Sequence, residues 1–457
     1  MFRLKRAPIK TAAVLSVMAI VAAVAPSASS ASYASSRPHT NTVSITFSHW
    51  DPNQLKYAFK PTIAAFEKAN PAIKVNVQQV PYADYFTKLQ TGLVSGTAPD
   101  VFVIIPNFID EYEADHVLLN LTPYLKKAHV NIAKYAPFSV ANCSVGKDVY
   151  GLPWTVDTIG MYYNKADLAK AGFTSYPTNL TWAPNGSGTL VPFLEKLTVD
   201  ANGKNATQAG FNSKDIVQYG LALSPDSTQT FADVYMAENG GGYQTTGANA
   251  APTVNSPQNV ATYQFIWNLM YKYHVAPPGS TVIAPNGGAE EGQFLSGKTA
   301  LIQGGDWLVS AINAGAKFKW GVAWLPSGPK GRIGTINAGC NSIPANDKNP
   351  QQAFEFAQYV SSAAGQTIMA ATGALQPAVT SLGNIYVKAW KKLGVDATAL
   401  TPTAQGKVTI VPTGVNIAAV QTATDNAVAS IYLNTSTVKA ALNSAQAAAV
   451  AAYKGNA

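Results

Sequence analysis

Hydrophobic and polar positions over residues 42–105 switch between two periods. Thr42-Val43-Ser44-Ile45-Thr46-Phe47 carries an apolar side chain at every second position, the period of a half-buried strand. From Leu55 to Asn70, Ala58, Phe59, Ile63 and Phe66 recur at helical spacing, and Asn70-Pro71 ends the run. Ile73-Lys74-Val75-Asn76-Val77 returns to period two. Tyr82 to Ser95 reads as a helix with Phe86, Leu89 and Leu93 on one face, stopped by Gly96. Val101-Phe102-Val103-Ile104-Ile105 is apolar throughout, as expected of a strand covered on both faces. Strand–helix–strand–helix–strand predicts an α/β fold, a mostly parallel sheet flanked by helices. Residues 155–333 show the same α/β character around a Gly/Asn-rich middle. Pro350 opens a helix through Ser362. Ala440 to Tyr453 is a nearly uncharged helix with Leu442, Ala445, Ala449 and Tyr453 on one face. It is expected to cap the core, because a membrane-surface helix would carry basic residues on its polar face.

Composition narrows the classes. At roughly 100–200 residues per domain, 457 residues make two or three domains. Charged residues are 12%, about half the usual share, and there are 21 Tyr, 17 Phe and 8 Trp. This excludes an extended disordered chain, and the want of long charged runs argues against a coiled coil or a nucleic-acid-binding arm. His39, His49, His116, His129 and His274 show no metal-ligand spacing, and two cysteines exclude a cysteine-rich zinc protein, so neither metal nor cofactor is expected. Asp200-Ala201-Asn202-Gly203-Lys204-Asn205 has its glycine at the wrong place for a calcium loop and reads as a hairpin turn. No GxSxG, P-loop, HExxH or Cys–His signature is present, and the chain is read as not an enzyme. Asp51, Asp157 and Asp306 are the acids that a glycosidase reading would need to bring together.

The formal charge of +8 is largely a property of the first ten residues, which hold Arg3, Lys5, Arg6 and Lys10. An uncharged apolar stretch from Thr11 to Ala25 follows, shorter than the ~20 residues of a membrane span. Small residues then surround Ala28, Ala31 and Ala34. Residues 1–31 are therefore a secretory signal peptide, with a short N-terminal anchor as the alternative, and 32–41 a polar linker. Cleavage lowers the charge to about +4. No cysteine lies at the cleavage zone to accept a lipid. Outside the cytoplasm Cys143 and Cys340 either form a disulfide or remain two buried thiols.

Five stretches resemble the extracellular solute-binding proteins of ABC importers, in the sugar-binding, maltose-binding-protein-like branch. They are Phe66-Glu67-Lys68-Ala69-Asn70-Pro71-Ala72-Ile73-Lys74-Val75; Lys88-Leu89-Gln90 with Ser95-Gly96-Thr97-Ala98-Pro99-Asp100-Val101; Tyr150-Gly151-Leu152-Pro153-Trp154 with Met161-Tyr162-Tyr163-Asn164-Lys165; Phe294-Leu295-Ser296-Gly297-Lys298 with Gly305-Asp306-Trp307; and Leu325-Pro326-Ser327-Gly328-Pro329 with Ala353-Phe354-Glu355-Phe356. They occur in family order. The resemblance implies a two-lobed periplasmic-binding-protein fold, each lobe a mostly parallel sheet flanked by helices, with ligand in the cleft between lobes. Lobe 1 is then 42–154 plus 336–376, and lobe 2 is 155–333 plus 380–457. Both cysteines fall in lobe 1, where a bond would leave the hinge free.

A sugar cleft needs aromatic faces for C–H surfaces and planar polar groups for hydroxyls. In open α/β sheets such groups lie beyond the carboxyl ends of strands. Trp50 and Asp51 follow the first strand. Asn107 follows the 101–105 strand, in a loop that carries polar ligand contacts in related proteins. Asp157 stands where the maltose-binding branch has a Glu after the first crossing between lobes. Asn239 and Gly240 lie in a stretch like the family's Gly-Gly turn near the cleft, with an ordinary flexible loop as the alternative. Trp307 occupies the family's place for a Trp against the sugar. Asn416 lies where the branch has a further stacking aromatic. Asp100, before a strand, is expected to bond neighbouring backbone amides.

The implied function is a secreted, monomeric binding component, periplasmic or at the outer face of the membrane. It captures a sugar or oligosaccharide by hinge closure and delivers it to ABC permease transmembrane subunits. The alternatives are the same fold binding a glycerol phosphodiester or polyamine, and a secreted lectin. The candidate loops hold no Arg, which disfavours phosphate.

Overall fold

The computed structural model describes residues 42–223, 230–245, 251–283, 289–402, 406–410 and 412–455. The signal-peptide and linker readings, residues 1–41, lie outside the described residues.

The strands are β1 Val43–His49, β2 Ile73–Gln79, β3 Val101–Ile104, β4 Ser144–Val145, β5 Asp148–Val149, β6 Gly151–Asn164, β7 Val199–Asp200, β8 Ile216–Ala222, β9 Thr299–Gly305, β10 Trp320–Ala323, β11 Ile333–Ser342 and β12 Lys407–Ile410. All but β4 and β5 join one sheet in the order β2-β1-β3-β11-β6-β9-β8-β7, with β10 beside β6 and β12 beside β11. Outer strands pair in parallel: β1 with β2 and β3, and β8 with β9. Each parallel connection runs through a helix, Lys60–Ala69 and Tyr82–Ser95 among them. The helix predicted from Leu55 starts earlier, at Pro52, and passes through a wider-wound turn at Leu55–Phe59 before regular helix resumes. Gly96 closes the Tyr82–Ser95 helix at φ 71°, a left-handed cap that favours glycine.

Two strands are shared by both lobes. β6 pairs antiparallel with β11 through residues 151–157 and with β9 through residues 159–163. β11 reaches β3 at its far end. A third connection follows the helix Ala363–Thr372: Pro377 bridges Thr155, and Val156 N–H donates to the Gln376 carbonyl at 3.2 Å.

The period-two pattern places side chains in two layers, one on each sheet face. In lobe 1, Val101 and Val103 pack with Phe47, Phe59, Phe66 and Phe356. Phe102 and Ile104 pack on the other face with Tyr85, Leu89, Tyr112, Cys143 and Cys340. In lobe 2, Met161, Leu221 and Leu301 belong to the layer that includes the C-terminal helices Ile417–Tyr432 and Val438–Tyr453. Tyr162, Ala222 and Ile302 face the opposite layer with Trp320, Tyr386 and Trp390. Helices cover both faces, which explains why these strands read as continuous apolar runs.

Cys143 and Cys340 are joined in a disulfide, Cα atoms 5.7 Å apart, linking the end of the helix Pro137–Asn142 to β11. Asp100 accepts from Thr46 N–H at 2.8 Å, fixing β1 against the start of β3. Asp200 accepts from Asn202, Lys204 and Asn212 amides at 2.8–2.9 Å, so its carboxylate shapes a tight turn. Among the described residues no group of His, Cys, Asp and Glu could hold a metal ion, and no helix is long and apolar enough to cross a membrane.

Candidate functional site

The site lies where β6 passes from one lobe to the other. Trp307 follows β9 at the start of the helix Leu308–Gly315 and remains partly exposed. Its six-membered ring lies over the Cα of Gly305: a Cβ there would stand 2.1–2.2 Å from three ring atoms, so only glycine permits this ring position.

Asp306, just before it, is buried. Its Oδ1 accepts from Thr158 N–H at 3.2 Å, and its own N–H donates to the Thr158 carbonyl at 3.0 Å. Thr158 is held in turn by Gln376, whose Nε2 donates to Thr158 Oγ1 at 2.9 Å and to the Leu400 carbonyl at 2.8 Å. β6, the end of β9, Gln376 of the third connection and the Leu400 carbonyl therefore meet at one polar knot. Burial pushes the Asp306 carboxyl up to about 7, against the Thr158 and Gln376 hydrogen bonds that favour its charged form. Asp157 is raised well above the usual carboxylate range, first by desolvation and then by the negative Asp306 beside it. Both shifts favour the protonated form, and a protonated carboxyl can donate a hydrogen bond where a carboxylate only accepts.

Lobe 1 supplies the facing wall. Trp50 is half-buried in an aromatic cluster, 5.0 Å from Tyr85 and 4.9 Å from His49 between ring centroids. His49 is fully buried, and desolvation lowers its pKa to about 3. It stays neutral, and its Nδ1 accepts from Asp51 N–H at 2.9 Å. Asp51 caps the turn Pro52–Gln54, accepting from Asn53 and Gln54 amides at 2.7 and 3.1 Å. That turn lies next to the Leu308–Gly315 helix, which begins directly after Trp307. Asp51 also bears electrostatically on Glu291 of lobe 2. Burial, Glu290 and Asp51, in that order, push Glu291 up to about 7.

Asn107 extends this face. It is buried, its Nδ2 donates across the cleft to Gln421 Oε1, and its Oδ1 has no hydrogen-bond partner among the described residues. Nearby, Asp110 accepts from the Gly414 backbone, and Tyr82 of lobe 1 feels the charge of Asp425. Gln421 and Asp425 are four residues apart on the Ile417–Tyr432 helix and so share one face.

The sequence reading passed over Gln421, Asp425, Glu291 and Tyr82. The i, i+4 spacing of Gln421 and Asp425 was visible, but which helix face meets the other lobe depends on tertiary packing. Asn239, Gly240 and Asn416 are placed differently from the rest. Asn239 Nδ2 donates to the Gln258 carbonyl at 2.9 Å and to Thr262 Oγ1 at 3.2 Å, tying it to the helix Pro257–Tyr271. Gly240, at φ 79°, packs over Lys330. Beneath that turn Glu238 accepts from Trp182 Nε1 at 2.5 Å and from Ile333 N–H at 3.1 Å, bracing the start of β11. Asn416 adopts φ 64° and donates to the Tyr453 carbonyl at 3.2 Å, fastening the two C-terminal helices together. Asp157 and Trp307 thus lie where β6 meets β9, Asp51 lies by the Leu308–Gly315 helix, Trp50 sits in its aromatic cluster and Asn107 meets Gln421, whereas Asn239, Gly240 and Asn416 are held by other contacts.

Relatives carry the same architecture. Residues 62–395 match the family of bacterial extracellular solute-binding proteins. The galactooligosaccharide-binding protein of Bacillus subtilis is 27% identical over 349 residues, 73% of each chain. The erythritol/L-threitol-binding protein of Mycolicibacterium smegmatis is 24% identical over 330 residues, 67% of this chain and 64% of its own. Among solved structures, M. tuberculosis UspC superposes with a TM-score of 0.69 at 30% identity, covering 90% of this chain and 100% of that one. The Listeria monocytogenes ABC substrate-binding protein Lmo0181, solved with cycloalternan, gives 0.77 at 23% identity, covering 91% and 99%. The sequence match, the two-lobed sheet and the interlobe site agree, and the chain belongs to the bacterial extracellular solute-binding proteins.

Proposed function

We propose that this protein captures a neutral, polyhydroxylated ligand, a sugar or oligosaccharide, between its lobes and presents it to the transmembrane subunits of an ABC importer. The observation that carries this reading is the Trp307 ring seated on Gly305 beside the Asp157–Asp306 pair. An aromatic face suits the C–H side of a pyranose, and a carboxyl whose ionisation is disfavoured by burial, such as Asp157, can both give to and take from adjacent hydroxyls. The unpartnered Asn107 Oδ1 is a further acceptor for a hydroxyl. Trp50, Asp51 and Asn107 from lobe 1 and Asp157 and Trp307 at the crossing make ligand contact complete only when both lobes are engaged. Binding therefore favours closure. Lobe 1 comprises 42–154 plus 336–376 and lobe 2 comprises 155–333 plus 380–457. The protein works as a monomer outside the cytoplasm after loss of residues 1–31, and as a binder rather than an enzyme. Relatives named for galactooligosaccharide and erythritol/L-threitol binding support a polyol or saccharide ligand.

Thermal unfolding of the mature chain against saccharides, alditols, glycerol phosphodiesters and polyamines tests the ligand class. A ligand at 100 times its Kd adds about 2.7 kcal/mol, a clear rise in midpoint. A rise with a saccharide or alditol supports the proposal; a rise only with a polyamine or phosphodiester overturns it.

A further inference from the structure

A second aromatic–polar site lies on lobe 2, at the other end of the helix that closes the cleft. Gln264 and Trp267 of the Pro257–Tyr271 helix, together with Asn434, Thr435, Ser436, Thr437 and Val438 after the Ile417–Tyr432 helix, line an open cavity of about 410 Å³. Pockets for small organic ligands begin near 300 Å³. Gln421, which meets Asn107, and Asn434, which lines the cavity, are thirteen residues apart, about 20 Å at the helical rise. The two places are distinct.

The Trp267 ring is held in position rather than left free. Its Nε1–H donates to Asn434 Oδ1 at 3.0 Å, and Tyr271 flanks it at 5.4 Å between ring centroids. Asn434 adopts φ 55°, a left-handed conformation uncommon for residues other than glycine. The cavity lining has one indole, two carboxamides and three hydroxyls, with no ionisable group. A phosphate would want a cation and a polyamine would want acids. A neutral ring with hydroxyls wants an aromatic plane and amide or hydroxyl partners.

We infer that the Trp267–Asn434 cavity is a second, weaker saccharide-binding site outside the cleft, with Trp267 as its stacking platform. This rests on the reading that the ligand is a saccharide. An open site buries little of its ligand, so the affinity falls in the millimolar range, far below that of the cleft.

The test uses the full mature chain carrying Trp307→Ala, which isolates the second site. The Trp267 indole N–H resonance, assigned with Trp267→Phe, is followed by NMR during titration with maltotriose, galactobiose and mannobiose. The expected result is a saturable shift at millimolar saccharide, weakened at least about threefold in Gln264→Ala and Asn434→Gly. Glycine at 434 suits the left-handed backbone and keeps the turn intact. No shift with any of the three at roughly 50 mM, or saccharide binding unchanged by all of these substitutions, overturns the inference. A shift here with a silent cleft in the Trp307-containing protein would sink the cleft reading and leave this one standing.

Discussion

Asn107 and Gln421, 314 residues apart in sequence, share a side-chain hydrogen bond that spans the two lobes. One lies just beyond β3, where the sheet of lobe 1 ends, and the other on the helix that covers lobe 2. The bond is lost if these two elements separate, so it favours the arrangement in which they meet. A hydrogen bond of this kind contributes about 1 kcal/mol net. Gln421→Ala should weaken saccharide affinity about fivefold with little change in unfolding midpoint. Asn107→Ala should cost more, because Asn107 also offers Oδ1 to the ligand. Calorimetric titration of the two single variants and the double variant measures the coupling; strictly additive losses would contradict a bond made on closure.

The disulfide has a thermal and chemical consequence. Cys143 and Cys340 close a loop with a sequence separation of 197, and both are fully buried in the aromatic layer of lobe 1. Chain-entropy arguments put such a cross-link at up to about 5 kcal/mol, with 2–4 typical. Cys143→Ala/Cys340→Ala should therefore unfold at markedly lower denaturant than the parent while retaining saccharide affinity, because both cysteines pack in one buried layer with Phe102 and Ile104. Denaturant titration and calorimetry on the same samples check both halves of this statement.

The buried acids set a pH dependence with a definite sign. Asp306 has a folded pKa of about 7, above the ~3.9 of an unfolded Asp. Between those values the folded chain holds a proton that the unfolded chain releases, so stability falls as pH rises from about 4 to 7. Asp157 shifts in the same direction, as do Asp233, raised to about 7, and Glu238, raised to about 8, all by burial first. Asp306→Asn should flatten part of this slope, on the order of 1–3 kcal/mol, in denaturant titrations at pH 4.5 and 7.5. An unchanged slope would mean that Asp306 ionises freely in the folded protein.

Much of the scaffold was legible in the sequence for physical reasons. Period-two and period-3.6 runs mark β1, β2 and the helix Tyr82–Ser95, and Gly96 ends that helix as its left-handed cap. The fully apolar β3 declares a strand covered on both faces. The candidate site residues were named from two signals: Trp50 and Asp51 after β1 and Asn107 after β3 from their place beyond a strand, and Trp307 from the family motif around it. Asp157 was found from the motif around it; its convergence with Asp306, 149 positions away, was open from sequence, and the β6–β9 register, with Ile159 opposite Gly305, is what brings the two near each other. Gln421 and Glu291 were missed for the same reason. Asn239 and Asn416 look from sequence like free polar groups near a cleft. The structure commits both amides to helices of lobe 2.

The central claim is that a neutral saccharide binds against Trp307 at the lobe crossing. Isothermal titration of the mature protein and of Trp307→Ala, with the saccharide that raises the unfolding midpoint most, tests it directly. The account predicts single-site cleft binding in the parent, weakened at least about 100-fold in Trp307→Ala, with the variant's unfolding midpoint otherwise close to that of the ligand-free parent. Equal affinity in parent and variant would contradict it, because the stacking surface would then lie elsewhere.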